Sequence, residues 1–204
     1  MMGYRMARLG VLSRFRWIRP LRTWLPLLAA AFLSFGYSGI EAAEPRPSRE
    51  FQIKAAFLYN FAQFVDWPEE SFESPESPLI IAVLGEDPFG SFLDDLVRGE
   101  RANGRPLIVR RFPTVEELGK CHVLFVSGSE GRQIERIVER LRRESVLTVC
   151  DWEEYARQGA IVWFVMERNR VRLRINLDAA KTARLTISSK LLRSAETVTV
   201  SNRE

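Results

Sequence analysis

Six consecutive apolar residues, Leu79-Ile80-Ile81-Ala82-Val83-Leu84, constrain this chain more than any other stretch. A strand with one wet face alternates apolar and polar side chains, so an unbroken run belongs to a strand covered on both faces. Three further strands are expected at Leu107–Arg111, Val123–Val126 and Val146–Cys150. Between them, helical spacing predicts helices over Asp87–Val97, Val115–Leu118 and Glu130–Arg143, the last burying Ile134, Ile137, Val138 and Leu141. Strands alternating with helices imply an α/β domain of three layers around a mainly parallel sheet.

The flanking segments complete this picture. Glu50–Trp67 predicts a long aromatic-rich helix with Ile53, Phe57, Phe61, Phe64 and Val65 at helical spacing, ended by Pro68. A short helix is expected over Asp151–Arg157, with Asp151 as its cap. Ala160–Val165 and Val171–Leu177 form a hairpin turning at Arg168-Asn169. Its second arm alternates, with Val171, Leu173, Ile175 and Leu177 inward and Arg170, Arg172, Arg174 and Asn176 outward. That places it half-exposed or at an antiparallel edge of the sheet. Asp178 is expected to cap Ala179–Ala183, and Ser188–Thr197 to form a closing helix.

Residues 1–22 carry six arginines and no acid; an apolar stretch runs from Trp24 to Phe35, followed by small residues through Ala42 and Ala43. A basic start, an apolar middle and a small-residue end make a three-part export signal, residues 1–43, with cleavage near Ala42 or Ala43. The alternative is a retained anchor, although about 20 apolar residues are wanted for a span and Trp24–Ile40 includes Pro26 and two glycines. Residues 44–49 then read as a linker and 50–204 as one domain. Residues 1–43 hold six of the 30 basic residues and one of the 26 acidic ones. The remainder is close to neutral and gives no warrant for binding nucleic acid.

The two cysteines, Cys121 and Cys150, fall at the start of the third strand and the end of the fourth. On parallel neighbours that offset is roughly 15 Å, beyond the ~7 Å Cα limit for a disulfide. Two buried thiols are one reading; intermolecular or redox-sensing thiols are the other. The single histidine, His122, points to the opposite face from Cys121 if both are extended, so it reads as structural and not as part of a catalytic dyad. No set of residues is spaced for zinc, and no nucleophile elbow or Walker loop is present, so no catalytic residue, metal or cofactor is assigned.

Two loops follow strand ends, where α/β proteins bind ligands. The first contains Gly85, Asp87 and Phe89; the second contains Ser127 and Ser129. Each also has a structural account, as a turn feeding a helix and as a capping box between Ser127 and Glu130. The aromatic helix offers core packing, a ligand wall or a dimer face. The arginines at 170, 172 and 174 offer a solvated edge or a docking patch.

Five blocks together resemble the YfiR-like family of periplasmic proteins: Ile53–Pro68 (IKAAFLYNFAQFVDWP), Ala82–Gly90 (AVLGEDPFG), Gly104–Arg111 (GRPLIVRR), Cys121–Glu130 (CHVLFVSGSE) and Ile175–Ala195 (INLDAAKTARLTISSKLLRSA). The first and last are the specific ones. The resemblance implies a Rossmann-like fold and a non-catalytic regulator in the periplasm. It implies inhibition of a membrane-bound diguanylate cyclase through that enzyme's periplasmic sensor region, and so control of cyclic di-GMP and biofilm formation in response to an envelope signal. It also implies a homodimer. The motif residues it carries over include Lys54, Asn60, Phe64, Trp67, Asn176, Ser188 and Ser189 as partner or ligand contacts, with the aromatic helix and Ile187–Leu192 as the docking surface. Redox-controlled relatives carry more cysteines, and Ala82 stands where a strand cysteine often sits, which weighs against disulfide switching here. A second reading is a periplasmic small-molecule-binding protein serving a different receptor or transporter.

Overall fold

In the computed structural model the described residues are 47–193 and 195–198. The expected export signal, residues 1–43, lies outside them. The chain begins with helix α1 (Arg49–Phe64), strand β1 (Val65–Asp66), strand β2 (Leu79–Leu84), helix α2 (Ser91–Val97), and strands β3 (Arg101–Ala102) and β4 (Arg105–Phe112). It continues through β5 (Val123–Val126), α3 (Ile134–Leu141), β6 (Leu147–Cys150), α4 (Glu153–Arg157), β7 (Val162–Glu167) and β8 (Arg170–Asn176). It ends with α5 (Leu177–Thr182), β9 (Thr186–Ile187), α6 (Ser189–Leu192) and β10 (Glu196–Val198).

The main sheet has the order β10-β8-β7-β6-β5-β2-β4-β3. Strands β4, β2, β5, β6 and β7 are parallel. Every residue of β2 is buried, as its unbroken apolar run requires. Leu79, Ile81 and Val83 pack on one face with Ala55, Leu58 and Phe61 of α1 and Leu93 of α2. Ile80, Ala82 and Leu84 pack on the other with Ile134 and Ile137 of α3 and Tyr155 of α4. Three layers result, because period-two alternation sends one strand's side chains into two separate cores.

The β7–β8 hairpin turns at Arg168 and Asn169, both with positive φ (48° and 61°), the two-residue turn whose twist matches the strands it joins. Leu173 and Ile175 are buried, whereas Arg170 and Arg172 are exposed. This arm is not the sheet edge, however. β10 pairs alongside it in parallel, Thr197 opposite Ile175. The expected closing helix Ser188–Thr197 is therefore corrected to a four-residue helix, Ser189–Leu192, followed by the strand Glu196–Val198. Its β-branched end, Thr197-Val198, suits a pleated neighbour better than a helix.

Three other expectations shift. The buried stripe of α1 is Lys54, Ala55, Leu58, Phe61 and Ala62, and Ile53 is exposed. Large aromatics drew the expected stripe, whereas small residues set how closely the helix lies on the sheet. The helix expected from Glu130 begins as a 3-10 segment, Gly128–Gln133, and becomes α-helical only at Ile134, where its two glycines have been passed. The cap of α5 is Asn176, not Asp178: the Asn176 side-chain oxygen accepts from the N–H groups of Asp178 (3.1 Å) and Ala179 (3.0 Å).

β1 and β9 form a separate two-stranded ribbon, Val65 opposite Ile187 and Asp66 opposite Thr186. It joins the end of α1 to the closing segment.

Candidate functional site

Along β4-β2-β5-β6-β7 the strand order reverses between β2 and β5. The crevice outside the carboxyl ends of the strands flanking such a reversal is where open α/β sheets take ligands. The two loops singled out above meet there. The Glu86 N–H donates to Ser129 Oγ at 3.1 Å. Gly85 sits at φ +85°, and a Cβ added to it would press on Ser129 Oγ and lie 2.8 Å from Glu130 Cγ. Only glycine allows both that backbone and that approach. Ser127 accepts from the Ser129 N–H as a cap, while Glu130 turns toward Ser129 and Gln133 in place of completing the expected box.

A cleft of about 290 Å³ opens between these loops, lined by Phe51, Glu86, Asp87, Pro88, Ser127, Ser129 and Asp151 among others. Asp87 accepts from the Phe89 N–H (2.7 Å) and from Arg111 Nε (2.6 Å), so both its oxygens are engaged. Phe89 is wholly buried, edge-on to Phe51 and Phe125. Of the loop candidates it is a core residue, behind the cleft and not in it.

A larger cleft, about 500 Å³, lies over the ends of β6 and β7. Its lining includes Trp163, Phe164, Val165 and Met166 of β7, Arg174 opposite Trp163 on β8, and the charged Glu50, Glu153 and Arg157. Lys54 and Asp151 stand in it, and Asp151 lines the first cleft too. Lys54 Nζ is 2.7 Å from Asp151 Oδ2 and 2.5 Å from Glu50 Oε1, and 4.6 Å from the centroid of the Phe51 ring. Its side chain is only 3% exposed. A lysine so buried needs its charge met on the spot, and two carboxylates and an aromatic face meet it. Asp151, expected to cap α4, makes no cap hydrogen bond there and serves Lys54 instead.

The other residues carried over by resemblance lie elsewhere. Phe64 O accepts from the Ser188 N–H (2.9 Å), and Lys190 Nζ lies 4.7 Å from the Phe64 ring centroid. Ser188 caps α6, and Ser189 is exposed at its start. Trp67 Nε1 donates to His122 O at 3.2 Å. Asn60 is half-buried on α1. With the Asn176 cap, these positions hold the ribbon and the helix ends together; Lys54 alone of them stands in the clefts of the carboxyl rim, while Trp67 and Asn176 line separate cavities.

His122 is buried between Phe72, stacked at 4.4 Å, and Trp67, edge-on at 6.1 Å. Its Nδ1 accepts from the Ile80 N–H (3.0 Å), and Nε2 faces Ser71 O at 3.3 Å. Burial drives its pKa down to about 4. Cys121 and Cys150 are free and buried, and burial pushes both thiols up to about 12. Val126 is opposite Cys150, so Cys121 lies five residues away along the strand direction, roughly 16 Å at 3.3 Å per residue.

Trp163, Glu153 and Arg157 were not singled out as site residues in the sequence. Asp151 was legible in part: an acid directly after the carboxyl end of a parallel strand is a placement signal. The aromatic wall carries none, since Trp163 reads as an ordinary core residue.

A family model described as YfiR/HmsC-like matches residues 51–196. No curated protein matches the chain. Among solved structures, the ABC domain in complex with L-Trp from Streptococcus pneumonia is 11% identical, with a TM-score of 0.44. The match covers 59% of this chain and 55% of that one, so the chain spans about half the length of that structure.

Proposed function

Since the chain belongs to the YfiR/HmsC-like family, we propose that it acts from the periplasm as an inhibitor of a membrane-bound diguanylate cyclase. Membership of the family suggests a regulator of this class of enzyme, and the match over residues 51–196 is the observation that carries the reading. No helix among the described residues is long and apolar enough to cross a membrane. The inhibitory sense, the export of the chain, its homodimerisation and the cyclase's periplasmic sensor region as partner are parts of the proposal.

The twin clefts supply a physical means for an envelope signal to act. Both open at the carboxyl rim of the sheet and share Asp151 as a wall. A ligand that engages Asp151 in either cleft competes with Lys54 and shifts α1 relative to β6. A population of docking-competent molecules changes only as far as the ligand prefers one arrangement. The 500 Å³ volume, within the range of small-molecule sites, also favours the second reading, a ligand-binding sensor protein serving another receptor.

The test is deletion of the gene followed by measurement of cellular cyclic di-GMP, with a plasmid-borne copy as control. The expected result is a rise reversed by the plasmid. An unchanged level in a strain that expresses the protein overturns the inhibitory role.

A further inference from the structure

At the opposite rim, where β5 and β6 begin, lies a third cavity of about 190 Å³. It is smaller than the usual site for a drug-sized ligand, and its lining is unlike that of the other two. Ser71 and Ser145 both line it, and each has a buried side-chain hydroxyl with no hydrogen-bond partner. Ser145 is only 8% exposed. A buried hydroxyl left unmatched bears its whole desolvation cost, so two on residues lining one cavity point to a partner there that a turn of each side chain would meet.

The charge of the lining says what kind of partner. Lys120, Arg140, Arg143 and Arg184 line the cavity, against two carboxylates, Glu70 and Glu144. Arg184 pairs with Glu70 at 2.6 Å, and Arg140 only loosely with Glu144 at 3.4 Å. Lys120 reaches Glu73 at 3.6 Å, outside the cavity lining. Among the described residues Arg143 pairs with no carboxylate. The lining thus carries an excess of two cations and two serines whose hydroxyls are unmatched.

We propose that this cavity binds a small tetrahedral oxyanion, phosphate or sulfate, held by Arg143, Arg140 and Lys120, with the hydroxyls of Ser71 and Ser145 turning to meet it. Such an anion offers several acceptor oxygens at once, the complement of converging guanidinium and hydroxyl donors. The plainer account is that basic residues gather at the end of α3, where the helix carbonyls carry partial negative charge. That account covers Arg140 and Arg143, but not Lys120 and Arg184 from other segments, nor the unmatched serines. The cavity also adjoins the Glu69–Ser71 turn and Cys121, so a bound anion ties the turn between β1 and β2 to the starts of β5 and β6.

The test is calorimetric titration of the purified protein with inorganic phosphate, and separately with sulfate, against chloride at matched ionic strength. It needs no cyclase, so its outcome is independent of the regulatory role. Saturable one-site binding of either anion is expected, weakened about tenfold by Arg143→Ala. Ser145→Ala is expected to weaken it several-fold while leaving the anion-free protein at least as stable, since it removes an unmatched hydroxyl. Arg143 is exposed, so its variant folds and keeps the test decisive. Heats no greater than those of chloride, or unchanged binding in both variants, overturn the proposal and leave the cations as partners of the helix end.

Discussion

Lys54 Nζ lies 2.7 Å from Asp151 Oδ2, although the two residues are 97 apart in the chain. The contact fixes α1 to the carboxyl end of β6 and divides the two clefts of the upper rim. Its two halves are not equivalent, because Asp151 is 20% exposed and Lys54 3%. Asp151→Ala leaves a buried ammonium with Glu50 as its remaining carboxylate beside the Phe51 ring. The expected cost is roughly 2 kcal/mol, below the 3–5 of a fully buried pair that loses one partner. Lys54→Met fills the same space without a charge and is expected to cost less. Urea unfolding of the two variants checks the order, and an equal or reversed loss refutes the asymmetry.

Gly85 tests how tightly the two rim loops are locked. Gly85→Ala forces a side chain into a left-handed backbone and against Ser129 and Glu130. A loss of about 2 kcal/mol or more is expected. The double variant with Ser129→Ala should regain part of it, since one of the clashing atoms is gone. No regain would place the cost in the backbone and the Glu130 contact.

The cap of α5 separates two neighbouring residues by role. Asn176→Ala is expected to cost about 1–2 kcal/mol, because Asn176 is itself buried and its oxygen meets two N–H groups at the helix start. Asp178 is exposed and, among the described residues, paired only with Lys181 at 3.7 Å, so Asp178→Ala is expected within about 0.5 kcal/mol of the parent. Thermal melts of both variants decide it.

His122 predicts a pH dependence. Its folded pKa of about 4 lies below the ordinary value of 6.5, chiefly through burial. The unfolded chain therefore binds the proton first. The stability contributed is full above pH 6.5 and is lost as pH falls toward 4, on the order of 3 kcal/mol at most. His122→Asn, which keeps an acceptor for the Ile80 N–H, should flatten the urea midpoint across that window. Parallel profiles for the parent and the variant would assign the acid sensitivity to other groups.

The thiols give a simple readout. Cys121 and Cys150 are buried with thiolate formation suppressed. In the native protein a thiol reagent at neutral pH is expected to react slowly with both, and with two equivalents at once after denaturation. Rapid native labelling of either would restore it as a redox site.

The candidate site was half legible. Glycine and serine loops after apolar strands mark a rim, and the sequence placed Gly85, Asp87, Ser127 and Ser129 on it. It did not bring Asp151 to Lys54, nor decide between the two readings of Phe89, as one face of a helix with Leu93 and Leu96 or as a loop contact. Those depend on how far apart loops fall once the sheet closes. The cavity with Ser71 and Ser145 was invisible, since a lone serine in a turn carries no signal of burial.

By itself the sequence determined the layers: unbroken apolar runs at Leu79–Leu84 and Val123–Val126 demand cover on both faces, and positive-φ turns and helical stripes punctuate the chain between them. Such features act over a few residues, where hydrophobic period and turn chemistry are fixed locally. Only the tertiary structure decided that β10 joins β8, that α1 buries a lysine in place of Ile53, and that Asn176 caps where Asp178 was expected. Each of these is a choice among partners of similar local propensity, and burial against a distant segment settles it.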